Sequence, residues 1–298
     1  MTTTTPDHVL DLHDTVLDWY TDHARDLPWR APDRSPWGVL VSEVMLQQTP
    51  VVRVLPQWEA WMQRWPTPTD LAADPPGEAV RMWNRLGYPR RALRLHAAAV
   101  AIRDEHGGLV PSEHAQLLSL PGVGAYTAAA VASFAFGQQH AVVDTNVRRV
   151  HARAVTGTAE PAASLTAAEN RLAVDLLPDD EATAARWAVA VMELGALVCT
   201  ARSPSCGRCP WVSRCAWVLA GRPAPTSPPR RGQAWAGTDR QVRGKLLAVL
   251  RASSEPVTAE ELAACWSDAA QRGRCLDGLV SDGLVEPLPD GRFTLPRS

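Results

Sequence analysis

Four cysteines crowd one short window as Cys199-x6-Cys206-x2-Cys209-x5-Cys215, and thiols packed this densely along a chain are there to bind something. The sequence carries no signal peptide and no transmembrane segment, which predicts a cytoplasmic protein with no membrane partner, where disulfides rarely persist. A metal centre is therefore the stronger reading. Tetrahedral zinc sites favour two close-spaced pairs, C-x2-C repeated. Here one such pair is flanked by two longer, unequal arms. A single compact loop giving four thiolates suits a [4Fe–4S] cube better than zinc.

Two carboxylates offer a different chemistry. Glu43 stands alone in the apolar run WGVLVSEVML, residues 37–46. Burial there disfavours its charged form and keeps a proton available near neutral pH. The bland alternative is a wet-face salt-bridge partner, which the Val, Met and Leu neighbours disfavour. Asp144 directly precedes a helical pattern in AVVDTNVRRVHAR, residues 141–153, so it reads as an N-cap. A helix N-terminus favours an anion, and Asp144 is expected to stay ionised, with Asn146 able to hold it or a water. One neutral and one charged carboxyl are what breaking a glycosidic bond requires. The acid protonates the leaving group and the anion stabilises or captures the sugar cation.

Three more features point to a polyanion. LPGVG, residues 120–124, lies between two helical patterns. Gly122 and Gly124 let the chain turn sharply, and the amides opening the next helix suit a phosphate. An ordinary glycine turn is the rival reading. Gln47 and Gln48 end the Glu43 helix and can hydrogen-bond base edges, or simply face solvent. Arg148 and Arg149 are candidate phosphate contacts, or a solvated face.

Composition limits the alternatives. The 298 residues are 46% hydrophobic and 21% charged, with a formal net charge of −2, so DNA binding must come from local patches and helix ends. Lys245 is the sole lysine. Arginine cannot serve as an amine nucleophile, so Schiff-base chemistry in the main body is excluded by inventory.

These residues sit on a chain that reads as helix after helix with short connections, hence an all-α body. Helical spacing is expected over 7–26, 36–48, 50–65, 77–86, 90–105, 112–120, 123–136, 145–155, 165–177 and 180–198. Residues 222–238 are Pro- and Arg-rich and read as a linker between a main domain, 7–221, and a small unit, 239–298. That unit shows three helical stretches and an Asp290-Gly291 hairpin signal, a winged-helix-like pattern.

Taken together, LPWR (27–30), SEVMLQQT (42–49), LGY (86–88), LPGVG (120–124), VDTN (143–146), ELGALVC (193–199) and the cysteine loop resemble the MutY-type adenine DNA glycosylases of the helix–hairpin–helix, iron–sulfur superfamily. The resemblance spans roughly residues 8–220. It implies a helix–hairpin–helix glycosylase fold of two helical subdomains, one holding the cluster loop, followed here by the small C-terminal module. It implies a monomer acting on double-stranded DNA containing a mismatch.

The resemblance also assigns roles. Glu43 would be the general acid that later activates water. Asp144, supported by Asn146, would stabilise or trap the sugar cation. Tyr126 stands where glycosylase–lyases carry lysine, which implies base removal without strand cleavage. Gln48 and Tyr88 resemble wedges beside the opposing purine, usually 8-oxoguanine, flanked by Thr49 and Leu86. Arg25, Trp29, Arg30 and Leu46 would line the pocket of the flipped adenine. Extrusion costs a few kcal/mol, which such wedges help to offset.

Departures from the family pattern are specific. Val189 stands where a Glu or Gln usually reads the adenine edge, Thr145 replaces a common Gly, Pro89 a common Tyr, and residues 239–298 are too few for a NUDIX-like domain. Val189 keeps a thymine or uracil mismatch glycosylase of the same fold as an alternative. A non-catalytic DNA-binding protein is the other.

Overall fold

The computed structural model describes residues 7–225 and 235–297, and among them helix dominates as the periodicity requires. In chain order the helices are α1 (Asp7–His23), α2 (Pro36–Leu46), α3 (Val51–Arg64), α4 (Pro68–Ala73), α5 (Pro76–Met82), α6 (Arg90–Glu105), α7 (His114–Ser119) and α8 (Ala125–Phe136). They continue with α9 (Thr145–His151), α10 (Ala167–Asp175), α11 (Glu181–Leu197), α12 (Ala216–Leu219), α13 (Asp239–Ala252), α14 (Ala259–Ala264) and α15 (Ala269–Ser281). A short antiparallel pair, β1 (Glu286–Pro287) and β2 (Phe293–Thr294), closes the order.

Local chemistry explains the ends. Thr67, Thr166 and Thr258 open α4, α10 and α14 with reciprocal capping boxes to Asp70, Glu169 and Glu261. Pro68 and Pro76 each start a helix: the one expected over 77–86 forms as α5 and stops at Met82, and α4 precedes it where no helix was expected. The helix expected to reach Gln48 stops at Leu46, because Pro50 disfavours helical geometry at Thr49 and Gln48 takes a left-handed φ of 56°.

The chain forms two compact units that do not follow chain order. The first comprises 7–39, 112–118 and 124–225, and the second 40–111, 119–123 and 235–297. In the first, α1, α9 and α11 enclose a core of Val16, Trp19, Val147, Val150, Trp187 and Leu194. Trp187 packs on Trp211 of the cysteine loop at 5.6 Å between ring centroids. In the second, α4 and α5 pack on α6, over Trp61, Trp65 and Trp83. The C-terminal helices bury Leu246, Leu250, Leu262, Leu279 and Leu284 and belong to this second unit. Their attachment is through α5: Gly77 N–H donates to the Pro296 carbonyl at 2.7 Å, and the Arg81 guanidinium reaches the carbonyls of Arg251 and Ser253 at 2.5 and 2.6 Å. A β-carbon on Gly77 would collide with Pro296, so a glycine is needed for that approach. The linker expected over 222–238 lies partly outside the described residues, which omit 226–234.

Candidate active site and cluster loop

Glu43 lies in α2 with only 6% of its surface exposed, between buried Ser42 and Val44, so the apolar run of the sequence does submerge it. The end of α2 is tied down by Arg91, a residue that sequence reasoning missed. Its guanidinium donates to the carbonyls of Val44 (2.8 Å), Gln47 (2.5 Å) and Gly87 (3.2 Å), and to Thr49 Oγ1 (3.2 Å). Burial lowers its pKa to about 10. Thr49 Oγ1 in turn donates to the Leu86 carbonyl at 3.2 Å. Gln48, Thr49, Leu86 and Tyr88 are therefore joined into one ledge built from two turns.

That ledge is strained. Gln48, Asn84 and Tyr88 have φ of 56°, 47° and 47°, a region that non-glycine residues rarely enter. Such outliers persist where surrounding contacts hold them, and they cluster at ligand-gripping sites. Here Arg91 provides the hold, and Tyr88 stays 52% exposed. Leu46, the expected pocket residue beside this turn, is half-buried at the last position of α2.

The LPGVG turn forms as expected. Gly122 has φ 78°, and a β-carbon there would meet the Arg94 side chain at 2.6 Å. Gly124 caps α8 without a side chain, so nothing of its own covers the helix start.

In the first unit, Asp144 caps α9. Its Oδ1 accepts from Val147 N–H at 2.7 Å and its Oδ2 from Asn146 Nδ2 at 2.8 Å. The helix end expected to keep this carboxyl ionised is opposed by burial. Burial raises its pKa above that of an ordinary aspartate, outweighing the donors of Val147 and Asn146. Asn146 is itself held, its Oδ1 accepting from Arg149 Nη2 at 2.7 Å, while Arg149 also reaches the carbonyls of Gly195 and Cys199, both at 2.7 Å. Arg149 is thus a brace. Arg148 is likewise engaged: it pairs with Glu169 at 2.9 Å and donates to the carbonyls of Ala162 and Ser164, so the phosphate contact expected of it would have to break that network.

The second missed residue is Glu193. It is fully buried on α11 and binds Arg25 through Nε (2.7 Å) and Nη2 (2.6 Å), and Arg30 through Nη2 (3.0 Å). These arginines outweigh burial and hold its pKa down to about 2. Arg25 and Arg30, read as pocket residues, thus flank buried Trp29 while sharing one carboxylate. Tyr126 packs beside Ala129, Val142 and Ala188 in the same unit. Glu43 belongs to the second unit and Asp144, Asn146 and Tyr126 to the first.

All four loop cysteines line one apolar cavity with Val198, Pro204, Val212, Trp217 and Val218. Burial pushes the Cys209 thiol up to about 11 and raises Cys199, so cationic ligation is what would draw thiolates into this space. No three His, Cys, Asp or Glu side chains gather about a single ion position among the described residues. A cube takes one thiolate at each of four corners, which the four cysteines on this one cavity can supply. Buried Arg153 was also missed by sequence reasoning. It donates to the carbonyls of Ala159, Thr200 and Ala201 at 2.7–3.0 Å, lies 3.5 Å from Cys199 Sγ, and stacks on Trp217. Arg202, Arg208 and Arg214 are exposed on the same loop.

Comparison with known proteins agrees with this geometry. Residues 41–173 match the family described as HhH-GPD superfamily base excision DNA repair protein, and residues 199–215 match the iron–sulfur binding domain of endonuclease III. The chain is 53% identical over 294 residues to an adenine DNA glycosylase of Mycobacterium tuberculosis, covering 98% of this chain and 95% of that protein. It is 57% identical over 281 residues to an adenine DNA glycosylase of Mycolicibacterium smegmatis, covering 94% of each. Among solved structures, a thermostable thymine-DNA glycosylase superposes with a TM-score of 0.63 at 28% identity, covering 71% of this chain and 97% of that one. The chain belongs to the helix–hairpin–helix superfamily of base excision DNA repair proteins and, within it, to the adenine DNA glycosylases. Its fold is the all-α glycosylase fold, its partner is DNA, and its cysteine loop holds a [4Fe–4S] cluster. No helix among the described residues is long and apolar enough to cross a membrane.

Proposed function

We infer that the protein hydrolyses the N-glycosidic bond of adenine mispaired with 8-oxoguanine or guanine, and that it does so without cleaving the strand. The observation that carries the reading is Asp144: a carboxylate whose anion is disfavoured by burial yet held in place by two donors. Such a group gains more from a neighbouring cation than a solvated carboxylate does, so it strengthens its interaction as the sugar becomes cationic.

In this mechanism Glu43 gives its proton to the adenine as the C1′–N9 bond breaks and the bonding electrons leave with the base. Asp144 stabilises the oxocarbenium-like sugar, and Asn146 fixes which carboxylate oxygen faces it. Water then adds at C1′ and loses its proton to Glu43, which restores the acid and leaves an abasic site. Tyr126, in place of an amine, cannot form a Schiff base, so the phosphodiester chain stays intact. Arg25, Trp29, Arg30 and Leu46 enclose the extruded adenine, with Glu193 fixing the two arginines. Gln48 and Tyr88 fill the gap beside the opposing purine, flanked by Thr49 and Leu86. Gly122 and Gly124 bring amides to the backbone. Cys199, Cys206, Cys209 and Cys215 hold the cluster, which when bound orders the loop bearing Arg202, Arg208 and Arg214 and moves no electrons in hydrolysis. The protein acts as a cytoplasmic monomer, with a glycosylase domain at 7–221, a linker at 222–238 and a winged-helix-like module at 239–298.

The test is single-turnover reaction with an end-labelled A:8-oxoguanine duplex. Strand breakage only after alkali, and no borohydride-trapped adduct, supports the reading. Breakage without alkali removes the hydrolase-only mechanism. Half-buried Val189, one turn before Glu193, supplies no hydrogen bond to a base edge and favours a second reading, excision of thymine or uracil opposite guanine. Faster excision from T:G or U:G duplexes than from A:8-oxoguanine would establish it.

A further inference from the structure

Within the second unit, α13 of the C-terminal module faces the strained ledge across an open groove of about 1850 Å³. Ten of the described residues lining it are cationic and one, Asp282, is anionic. The whole chain carries a net charge of −2, so the groove concentrates positive charge that composition hides. Arg90 and Arg243 are paired with Asp282. Arg81, Arg91 and Arg251 donate to backbone carbonyls. Arg85, Arg94, Arg240 and Lys245 are exposed toward solvent.

Aromatic rings interleave with these charges. The Arg240 guanidinium of α13 lies 5.3 Å from the Trp235 ring and 5.8 Å from the Tyr88 ring, and Arg91 lies 5.4 Å from that same ring. Tyr88 is thus held between an arginine of the ledge and an arginine of the module. Cations over aromatic faces along a positive groove are what a nucleic-acid backbone meets in proteins that grip it without reading sequence.

We propose that this groove binds the phosphodiester backbone of the strand opposite the excised base, with Arg85 and Arg240 as phosphate contacts on its two walls. The choice of strand rests on the proposed function, because Gln48, Leu86 and Tyr88, assigned there to the opposing purine, line the same groove. Phosphates are the same beside every base, so the module would add affinity without adding lesion recognition.

The test measures binding of the full-length protein, loaded with its cluster, to two duplexes across a salt series. One is undamaged, and the other carries a non-cleavable abasic analogue opposite 8-oxoguanine. For Arg85→Ala/Arg240→Ala, each lost contact should reduce affinity ~8-fold at 0.1 M salt and flatten the log–log salt slope by about 0.9. Both duplexes should lose equally, and Arg240→Lys should retain the slope. A disulfide cross-link from Arg240→Cys should form with a thiol tethered to a phosphate of the 8-oxoguanine strand. Unchanged affinity and slope in the double variant would overturn the groove assignment, and a loss confined to the 8-oxoguanine duplex would overturn lesion-blind gripping. Cross-linking to the other strand would overturn the strand assignment. Failure of base excision itself shows separately, as absence of alkali-labile product from wild type.

Discussion

Gly195 of α11 and Asn146 of α9 approach so closely that a β-carbon on Gly195 would sit 2.7 Å from the Asn146 Cβ. The contact places the residue that orients Asp144 directly against the helix that carries Glu193. Gly195→Ala must push Asn146 aside, and overpacking of this kind costs about 1–3 kcal/mol. The expected outcome is a lower melting temperature and a single-turnover excision rate reduced at least tenfold, with DNA affinity little changed. Equal loss of affinity and rate would instead mark a general defect of the first unit.

Asp144→Asn should uncouple stability from activity. A carboxyl whose folded pKa is raised costs nothing below its unfolded pKa, where both states are protonated. Its cost grows as pH rises from about 4 and is complete above the folded value. Asparagine keeps the Val147 cap through its one oxygen, gives up the bond from Asn146 and removes the charge. The melting temperature of the variant relative to wild type should therefore rise from pH 4 to pH 7, while excision is lost. A relative melting temperature that is highest at acid pH would contradict the buried-anion account.

Glu193→Gln should behave in the opposite sense. Its folded pKa is depressed to about 2, so its stabilisation is present above the ordinary carboxylate range and disappears as pH falls from about 4 toward 2. Removing the charge leaves Arg25 and Arg30 without a counter-ion, which costs about 3 kcal/mol at pH 7. Thermal melts of wild type and variant should differ at neutral pH and converge toward pH 2. A constant difference across that range would show that Glu193 acts through packing alone.

Arg91→Ala should dismantle the ledge. Four backbone carbonyls, Val44, Met45, Gln47 and Gly87, lose a donor along with Thr49, at a cost of about 3 kcal/mol. Tyr88 and Gln48 would then relax from their left-handed φ. The expected result is weaker discrimination between a mismatched and a fully paired duplex, measured by competition binding. Unchanged discrimination would separate Arg91 from the wedge.

What the sequence revealed follows from the range of each interaction. The cysteine loop, the Asp144 cap and the LPGVG turn are local, and spacing alone locates them. Glu193 meets Arg25 across 168 residues and Arg91 meets Val44 across 47, so no local pattern could pair them. Glu193, like Glu43, carries the signal of a charge inside an apolar helical run, AVAVMELGAL, whereas Arg91 follows another arginine in RRALRLH and carries none. Asp144 shows the same limit. Its hydrogen-bond donors lie two and three residues away and were legible, whereas the burial that overrides them depends on tertiary packing. The C-terminal module reads as three helices and a hairpin, yet its attachment through Gly77 and Arg81 to the second unit had no sequence signature.

The central claim is that Glu43 supplies the proton that lets adenine leave. The most direct measurement is the single-turnover rate of abasic-site formation in an A:8-oxoguanine duplex by wild type and by Glu43→Gln, both saturating the DNA. The account predicts that the variant binds with wild-type affinity and forms abasic sites about a thousandfold more slowly, within the range typical of a positioned general acid–base. A variant that excises adenine at a rate near that of wild type would contradict it.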